Sequence, residues 1–305
     1  MDKEVVFRAS SPNEEYNIEN NNLIRNLWLY NYDETFYVTE KDYIFDCLST
    51  NNPEGAIIGA IVGNPNYNWM GNYDGGIFIE SSANNVSILN CTLGGWYKGI
   101  TVLGNYPKIK NNIIVNNQYA ISPQGSSGGE ISSNMINKSS IGIWPSSSTD
   151  YFISDNEIYG IYGKTIQISG STNIRVENNI LESDNYVIDM DDGSNSNEII
   201  GNSIIGGAIH GINLVGCNDN LIENNILSYF FGSGISLRSS SGNKINNNYL
   251  LDTNLQLYDN SDNNNISHNV ICQSQIDFRS YFGFVCEESE LNIGNSNIFG
   301  ILEDD

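Results

Sequence analysis

Four ionisable residues in the middle of the chain have the types and spacing that acid–base chemistry needs. Lys164, Asp189, Asp191 and His210 follow one another at intervals of about one repeat length or less. On a strand, Asp189 and Asp191 would point the same way and lie about 6.5–7 Å apart. That separation suits an inverting glycoside hydrolase, in which one carboxyl group acts as acid and the other activates water.

A second chemistry uses the same residues as bases. Lys164 or His210 could abstract a proton alpha to a uronate carboxylate, and Arg238 could stabilise the charge that develops. An ordinary surface remains an alternative, because Asp191 and Asp192 precede Gly193 in a sequence typical of a turn. The catalytic candidates are therefore Lys164, Asp189, Asp191, His210 and Arg238.

Carboxylates near this cluster also offer oxygen ligands for Ca²⁺, although their spacing is not that of an EF-hand. They are Glu182, Asp184, Asp189, Asp191 and Asp192. No other cofactor or metal is expected.

Aromatic and amide side chains predict a surface that binds sugars. Rings can stack on the apolar faces of pyranoses, and amides can bond their hydroxyl groups. For Trp69 and Tyr73 the alternative is that they anchor a loop to the body of the protein. The predicted binding residues are Trp69, Tyr73, Trp96, Trp144, Gln167 and Asn213.

A repeat must position these residues. The phrase Ile-x-x-Asn-x-Ile, with aliphatic variants, recurs with spacings of 22, 22, 23, 23, 23, 23 and 21 residues. We expect the asparagine to adopt the left-handed conformation of a bend, and its amide to bond the asparagines of the coils above and below. The asparagines are Asn112, Asn134, Asn156, Asn179, Asn202, Asn225, Asn248 and Asn269.

Between these phrases lies a second one, a small residue followed by Ile-x-aliphatic, as in Gly211–Leu214 and Gly234–Leu237. Its alternation is that of a strand with one buried face. Coils this short leave no room for helices. The sequence therefore predicts an all-β chain, a right-handed single-stranded parallel β-helix of about 10–11 coils with capped ends.

The rhythm of the repeat predicts four regions. Residues 1–50 are expected to form an N-terminal cap with the first irregular coils, and 51–75 an aromatic-rich loop insertion. Residues 76–280 form regular coils, and 281–305 form the last coil and a C-terminal cap.

Composition and charge limit the partners. The formal net charge is −23, which disfavours nucleic acids and anionic membranes as partners. No apolar stretch is long enough to span a membrane. Met1–Glu4 lack the apolar core of a signal peptide, so we expect an intracellular protein, or a mature or excised chain.

The five cysteines show no metal-binding spacing. We expect buried free thiols that fill stacked positions. Cys272 and Cys286 form the one pair expected to be able to bridge.

The position after each ladder asparagine is mostly apolar. If it faces outward, it forms a strip that predicts a homo-oligomer, as in trimers of fibre-like β-helices; if it faces inward, it is core. The strip consists of Ile113, Met135, Glu157, Ile180, Ser203, Ile226, Tyr249 and Val270.

The repeat over residues 75–299 resembles that of the pectin-lyase-like superfamily and its NosD-type carbohydrate-binding and sugar-hydrolase relatives. The resemblance implies an extracellular or surface protein that binds, cleaves or epimerises a polysaccharide. A non-catalytic adhesion or viral fibre domain is the alternative. Fold is well specified by this repeat and activity poorly.

Two motifs of the superfamily keep their shape here and lose their reactive groups. Where polygalacturonase-type hydrolases carry paired aspartates, the aligned residues are Asn185 and Tyr186. Alginate-epimerase-like domains carry a reactive Asp and a reactive His, and this chain has Ser122 and Gln124 at those positions. These departures favour binding over turnover.

Overall fold

The computed structural model describes two long stretches of the chain and several short ones. They cover residues 16–18, 29–30, 36–39, 41–47, 57–59, 76–207, 209–277 and 281–292. The predicted caps and the predicted loop insertion lie largely outside these residues. Among the described residues we find no helix, and hence none with the length and hydropathy that a membrane span requires.

One parallel sheet, called sheet A here, has eleven strands within the described residues. The nine strands from Ile77–Ile79 onward mark about eight turns of a solenoid, which confirms the predicted fold. The strands are Tyr16–Ile18, Phe36–Val38, Ile77–Ile79, Lys98–Val102, Tyr119–Pro123, Ile141–Ile143, Lys164–Ser169, Tyr186–Asp191, His210–Val215, Ser233–Arg238 and Leu255–Tyr258.

The second sheet, sheet B, contains twenty-one strands, because each coil contributes two short strands on either side of the asparagine bend. Those before the bend are Ile44–Asp46, Ser87–Leu89, Lys108–Lys110, Glu130–Ser132, Phe152–Ser154, Arg175–Glu177, Glu198–Ile200, Leu221–Glu223 and Lys244–Asn246. Those after it are Leu29–Tyr30, Ile57–Gly59, Thr92–Gly94, Ile113–Val115, Met135–Asn137, Glu157–Ile161, Ile180–Ser183, Ser203–Gly206, Ile226–Ser228 and Tyr249–Leu251. The sheet ends with an antiparallel pair, Asn265–Asp277 and Tyr281–Asn292.

Stacked asparagines join successive coils inside the solenoid. The Asn156 side-chain amide donates to Oδ1 of Asn179 at 2.9 Å, and the Asn156 backbone N–H donates to the same oxygen at 2.9 Å. The side-chain amide also donates to the carbonyl of Ile131 in the preceding coil, at 2.9 Å. The buried amide of Asn156 is thereby fully bonded, and its coil is held in register with the next.

The left-handed residue of the bend is not the ladder asparagine but the residue before it. Asn111 has φ of 58°, Asp155 of 54° and Asn178 of 55°. The left-handed conformation therefore lies one residue before the ladder asparagine, and the prediction that it lies at the ladder asparagine is wrong. The ladder asparagine keeps a negative φ, and its side chain is thereby directed inward to the stack.

Two further polar stacks lie inside other corners of the coil. Asn197, Asn220, Asn243 and Asn264 form a second asparagine ladder, for example through the Asn220 amide and Oδ1 of Asn243 at 3.0 Å. The third stack is mostly serine, with backbone N–H groups donating to hydroxyl oxygens one coil on, and it includes Ser148, Ser171, Ser194, Cys217, Ser240 and Ser261.

Cysteine chemistry differs from the prediction. Cys47 and Cys91 form a disulfide with a sequence separation of 44, so neither is a free thiol. They meet because Asp46 pairs with Leu89, so that the intervening residues do not separate the two coils. Cys272 is also disulfide-bonded, and Cys286 lies opposite it in the backbone register. Cys217 is a buried free thiol, and burial raises its pKa to about 11.

The strip after the ladder asparagines faces outward, and the backbone register stacks its residues in one column, called the apolar column here. Ile180 and Ile226 are 54% and 55% exposed. The alternative, that this strip is core, is therefore wrong.

The ladder makes a specific stability prediction at Asn179. Replacing it by alanine (Asn179→Ala) removes its bonds to Asn202 and to the carbonyl of Ile153, and leaves the Asn156 amide without its acceptor. We expect the free energy of unfolding to fall by about 3 kcal/mol. Denaturant unfolding followed by circular dichroism measures the change. Glu182→Ala on the exposed surface of the same coil is the control, and equal midpoints for the two variants would contradict the assigned role of the ladder.

Candidate functional site

Sheet A presents three columns of side chains outside the hydrophobic core, together called the sheet A face. The first contains Lys98, Tyr119, Ile141, Lys164, Tyr186, His210 and Ser233. The second runs through Phe78, Thr101, Ser122, Trp144, Gln167, Asp189, Asn213, Ser236 and Gln256. The third includes Gln124, Ser146, Ser169, Asp191, Val215, Arg238 and Tyr258.

Lys164 is the centre of a polar cluster on this face. Its Nζ lies 2.6 Å from Oδ2 of Asp189 and 3.8 Å from Oδ2 of Asp191. The Asn213 amide donates to Oδ1 of Asp189 at 2.7 Å, and the Gln167 amide donates to Oδ2 of Asp191 at 3.2 Å. Both oxygens of Asp189 are thus engaged, and its side chain is only 8% exposed.

Burial and packing hold the imidazole of His210 in one protonation state and one orientation. The backbone N–H of Ser233 donates to Nδ1 at 3.2 Å, so the neutral ring carries its proton on Nε2. Burial lowers the pKa of His210, and the nearby Asp189 charge only partly offsets this. The ring lies 5.6 Å from that of Tyr186, and a Cβ on Gly232 would come within 3.3 Å of its Cε1. His210 therefore presents a hydrogen-bond donor and not a base.

Arg238 does not join this cluster. Its Nε bonds Oδ2 of Asp259 at 2.7 Å, and its side chain is 62% exposed. The register places it beside Val215 and Tyr258, at the solvent edge of the face. The structure thus brings Lys164, Asp189 and Asp191 together and leaves Arg238 apart.

Three aromatic rings lie on the coils that precede the polar cluster. The ring of Tyr119 stacks on Trp144 with centroids 5.1 Å apart, and Tyr97 meets Tyr119 edge-on at 5.3 Å. The indole N–H of Trp144 donates to the hydroxyl of Ser169 at 3.2 Å, and the Gln167 amide donates to the same hydroxyl. The rings and the polar cluster therefore form one continuous surface.

Of the other predicted binding aromatics, Trp96 lies within the described residues and is not on this surface. Trp96 is 1% exposed and belongs to the core, where Gly76 leaves room for its indole, so the prediction that it contacts a ligand is wrong. Trp69 and Tyr73 lie outside the described residues. Sequence reasoning missed the ring stacking of Tyr119 on Trp144, although their positions in adjacent coils could have indicated it.

The predicted Ca²⁺ ligands diverge in space. Glu182 lies on sheet B, whereas Asp189 and Asp191 lie on sheet A. Across the residues with described coordinates, no three histidine, cysteine, aspartate or glutamate side chains gather as a metal site. The divergence follows from the coil, since the bend at Ser183–Asn185 separates the two sheets.

A family model described as "right handed beta helix region" matches residues 75–227 and 147–301. No curated protein matches. Three solved structures share the fold: the Dettilon tailspike protein (14% identity, TM-score 0.65), a mutant of the periplasmic alginate epimerase AlgG (16%, 0.57) and DFA-IIIase from Arthrobacter chlorophenolicus A6 (15%, 0.58). The matches cover 84%, 72% and 82% of this chain, and 58%, 56% and 64% of those chains. This chain therefore spans less than two thirds of each.

The lowered pKa of His210 predicts a pH dependence of stability. An unfolded histidine takes up a proton near pH 6.5, whereas folded His210 does so only at lower pH. Protonation therefore favours the unfolded chain, and the stability that His210 contributes above about pH 6.5 is lost as the pH falls through that value.

We expect wild type to lose more unfolding free energy than His210→Gln between about pH 7.5 and about pH 5.5. In a His268→Gln background, the one remaining imidazole can be titrated by NMR. A midpoint at or above the ordinary value would refute the buried, neutral state of His210.

Proposed function

This chain belongs to the family of proteins with a right-handed β-helix region, and from that premise we propose that it binds a polysaccharide on the sheet A face. The observation that carries the proposal is the continuity of the aromatic stack with the polar cluster. Tyr97, Tyr119 and Trp144 offer ring faces, and Ser169 joins them to the amide of Gln167.

The chemistry of this surface matches that of a sugar. A pyranose has an apolar face that packs on an aromatic ring, and hydroxyl groups at its rim that need donors and acceptors. Asn213 and Gln167 supply amides, and His210 supplies an Nε2–H donor. Held by ion pairs and hydrogen bonds, these groups are ordered before a ligand arrives, which reduces the entropy that binding costs.

Three solved structures share the fold of this chain. The names of two of them describe an alginate epimerase and a DFA-IIIase, and a third is a tailspike. Their identities of 14–16% support the fold alone, so the residues of this chain must carry the argument.

Binding is favoured over cleavage or epimerisation by the state of the candidate acids and bases. Lys164 is held in an ion pair, Asp189 has both oxygens bonded, and Nδ1 of His210 accepts a hydrogen bond from the backbone N–H of Ser233. Each would have to break an existing bond before it moved a proton of the substrate. Turnover by Asp189 and Asp191 is therefore the alternative. Incubating the protein with a panel of glycans and assaying for new reducing ends and for epimerised sugars tests it.

Two features support an extracellular or surface location and, as a second candidate, a fibre-type structural role. The Cys47–Cys91 disulfide is typical of proteins from oxidising compartments. The apolar column, with Ile180 and Ile226 half exposed, suits a side-by-side homo-oligomer such as a trimer. A chain that sediments as a monomer at micromolar concentration would count against the oligomer.

Removing the stacked ring tests the binding proposal. For a glycan that binds wild type, Trp144→Ala should weaken affinity at least about tenfold, or 1.4 kcal/mol, because the stacking surface and the bond to Ser169 are both lost. Isothermal titration calorimetry measures the change. Phe152→Ala, a partly exposed ring on sheet B, is the control. Equal affinities of Trp144→Ala and wild type for the glycan would contradict the proposed binding site.

A further inference from the structure

We infer that the glycan bound on the sheet A face is uncharged, and that this face rejects polyuronates. The inference rests on the proposed function, and it adds a substrate class to it. Its basis is the arrangement of charge around Lys164, which differs from what a uronate-binding site requires.

The polar cluster is negative at its centre. One ammonium, Lys164, faces two carboxylates, Asp189 and Asp191, at 2.6 and 3.8 Å, so the sum of 1 − 2 is −1. His210 adds no charge, because Ser233 donates to its Nδ1 and burial lowers its pKa. A ligand carboxylate placed here would meet a net negative field.

The one cation of the cluster, Lys164, already forms an ion pair with Asp189. Releasing Lys164 to a ligand carboxylate would leave Asp189, whose side chain is 8% exposed, without its ion-pair partner. An uncompensated buried charge is strongly destabilising. Asp189 thus already neutralises the ammonium that a uronate carboxylate would need.

The other cations on the face do not compensate. Arg238 is paired with Asp259 at 2.7 Å, at the solvent edge. Lys98 lies three coils from Lys164 in the first column, about 14 Å away at the usual strand spacing. A polyuronate carries one carboxylate on every sugar, so the sugars over Asp189 and Asp191 would still be repelled.

The charge of the whole chain acts in the same direction. With a formal net charge of −23, the protein repels a polyanion as it approaches. Around the ion pair, the polar side chains without a charge that a sugar could meet are Gln167, Asn213 and His210. Hydroxyl groups satisfy these donors and acceptors directly.

The experiment compares polysaccharides that share a backbone and differ in charge. Polygalacturonate is paired with its methyl ester, and alginate and a glucuronan are each paired with a carboxyl-reduced form. Neutral glucans, mannans, xylans and fructans complete the panel. Affinity is measured by biolayer interferometry at low and at high salt. We expect at least one neutral glycan to bind. Where the neutral form of a pair binds, its acidic form should bind at least roughly tenfold more weakly.

A matched pair of variants assigns the effect to this cluster. Asp191→Asn removes one negative charge beside Lys164. It should reduce the difference in affinity between the acidic and neutral forms of a glycan, and this difference should depend less on salt. Asp192→Asn removes the same charge from the neighbouring exposed turn and should leave the difference unchanged.

The outcomes separate this inference from the proposed function. An acidic glycan bound as tightly as its neutral form, or more tightly, overturns the inference and leaves glycan binding intact. An equal effect of the two variants also overturns it, since the rejection would then be a property of net charge alone. Absence of binding to every member of the panel overturns the proposed function itself.

Discussion

The hydrogen bond from one ladder asparagine to the next is the interaction on which the rest of this structure depends. Each asparagine lies inside a bend, where an unbonded amide would be costly, and each is satisfied only if the coil above is in register. A slip of one residue would both break the ladder and turn the core isoleucines outward. Register is therefore fixed at every coil independently of what the outer surface carries.

That independence is what lets the outer surface specialise. Because the ladder and the core hold the backbone, side chains of the sheet A face can differ from coil to coil without a cost to the fold. The rings of Tyr119 and Trp144 and the ion pair of Lys164 with Asp189 lie within a few coils of one another for this reason. Sheet B shows the same freedom, with Ile180 and Ile226 exposed in the apolar column.

Much of the fold follows from the sequence, because the repeat is local and each unit contacts only its neighbours. The ladder positions, the two strand phrases and the columns of the sheet A face all depend on spacing alone. The second ladder could have been found in the same way, since Asn197, Asn220, Asn243 and Asn264 recur with spacings of 23, 23 and 21. Its asparagines were hidden by the many other asparagines around them.

The site was harder to predict, because it depends on directions and partners that spacing does not contain. Intervals of about one repeat length indicated that Lys164 and Asp189 would be neighbours, but not that Arg238 would pair with Asp259. Trp96 reads as a surface aromatic, yet the bend turns it into the core. The Cys47–Cys91 disulfide was missed because an irregular stretch hides that the two coils are adjacent. A crystal structure of the chain with a bound neutral oligosaccharide tests the central claim most directly. We predict a sugar ring over Tyr119 and Trp144 with its hydroxyl groups at Gln167 and Asn213; a sugar bound against sheet B would contradict the account.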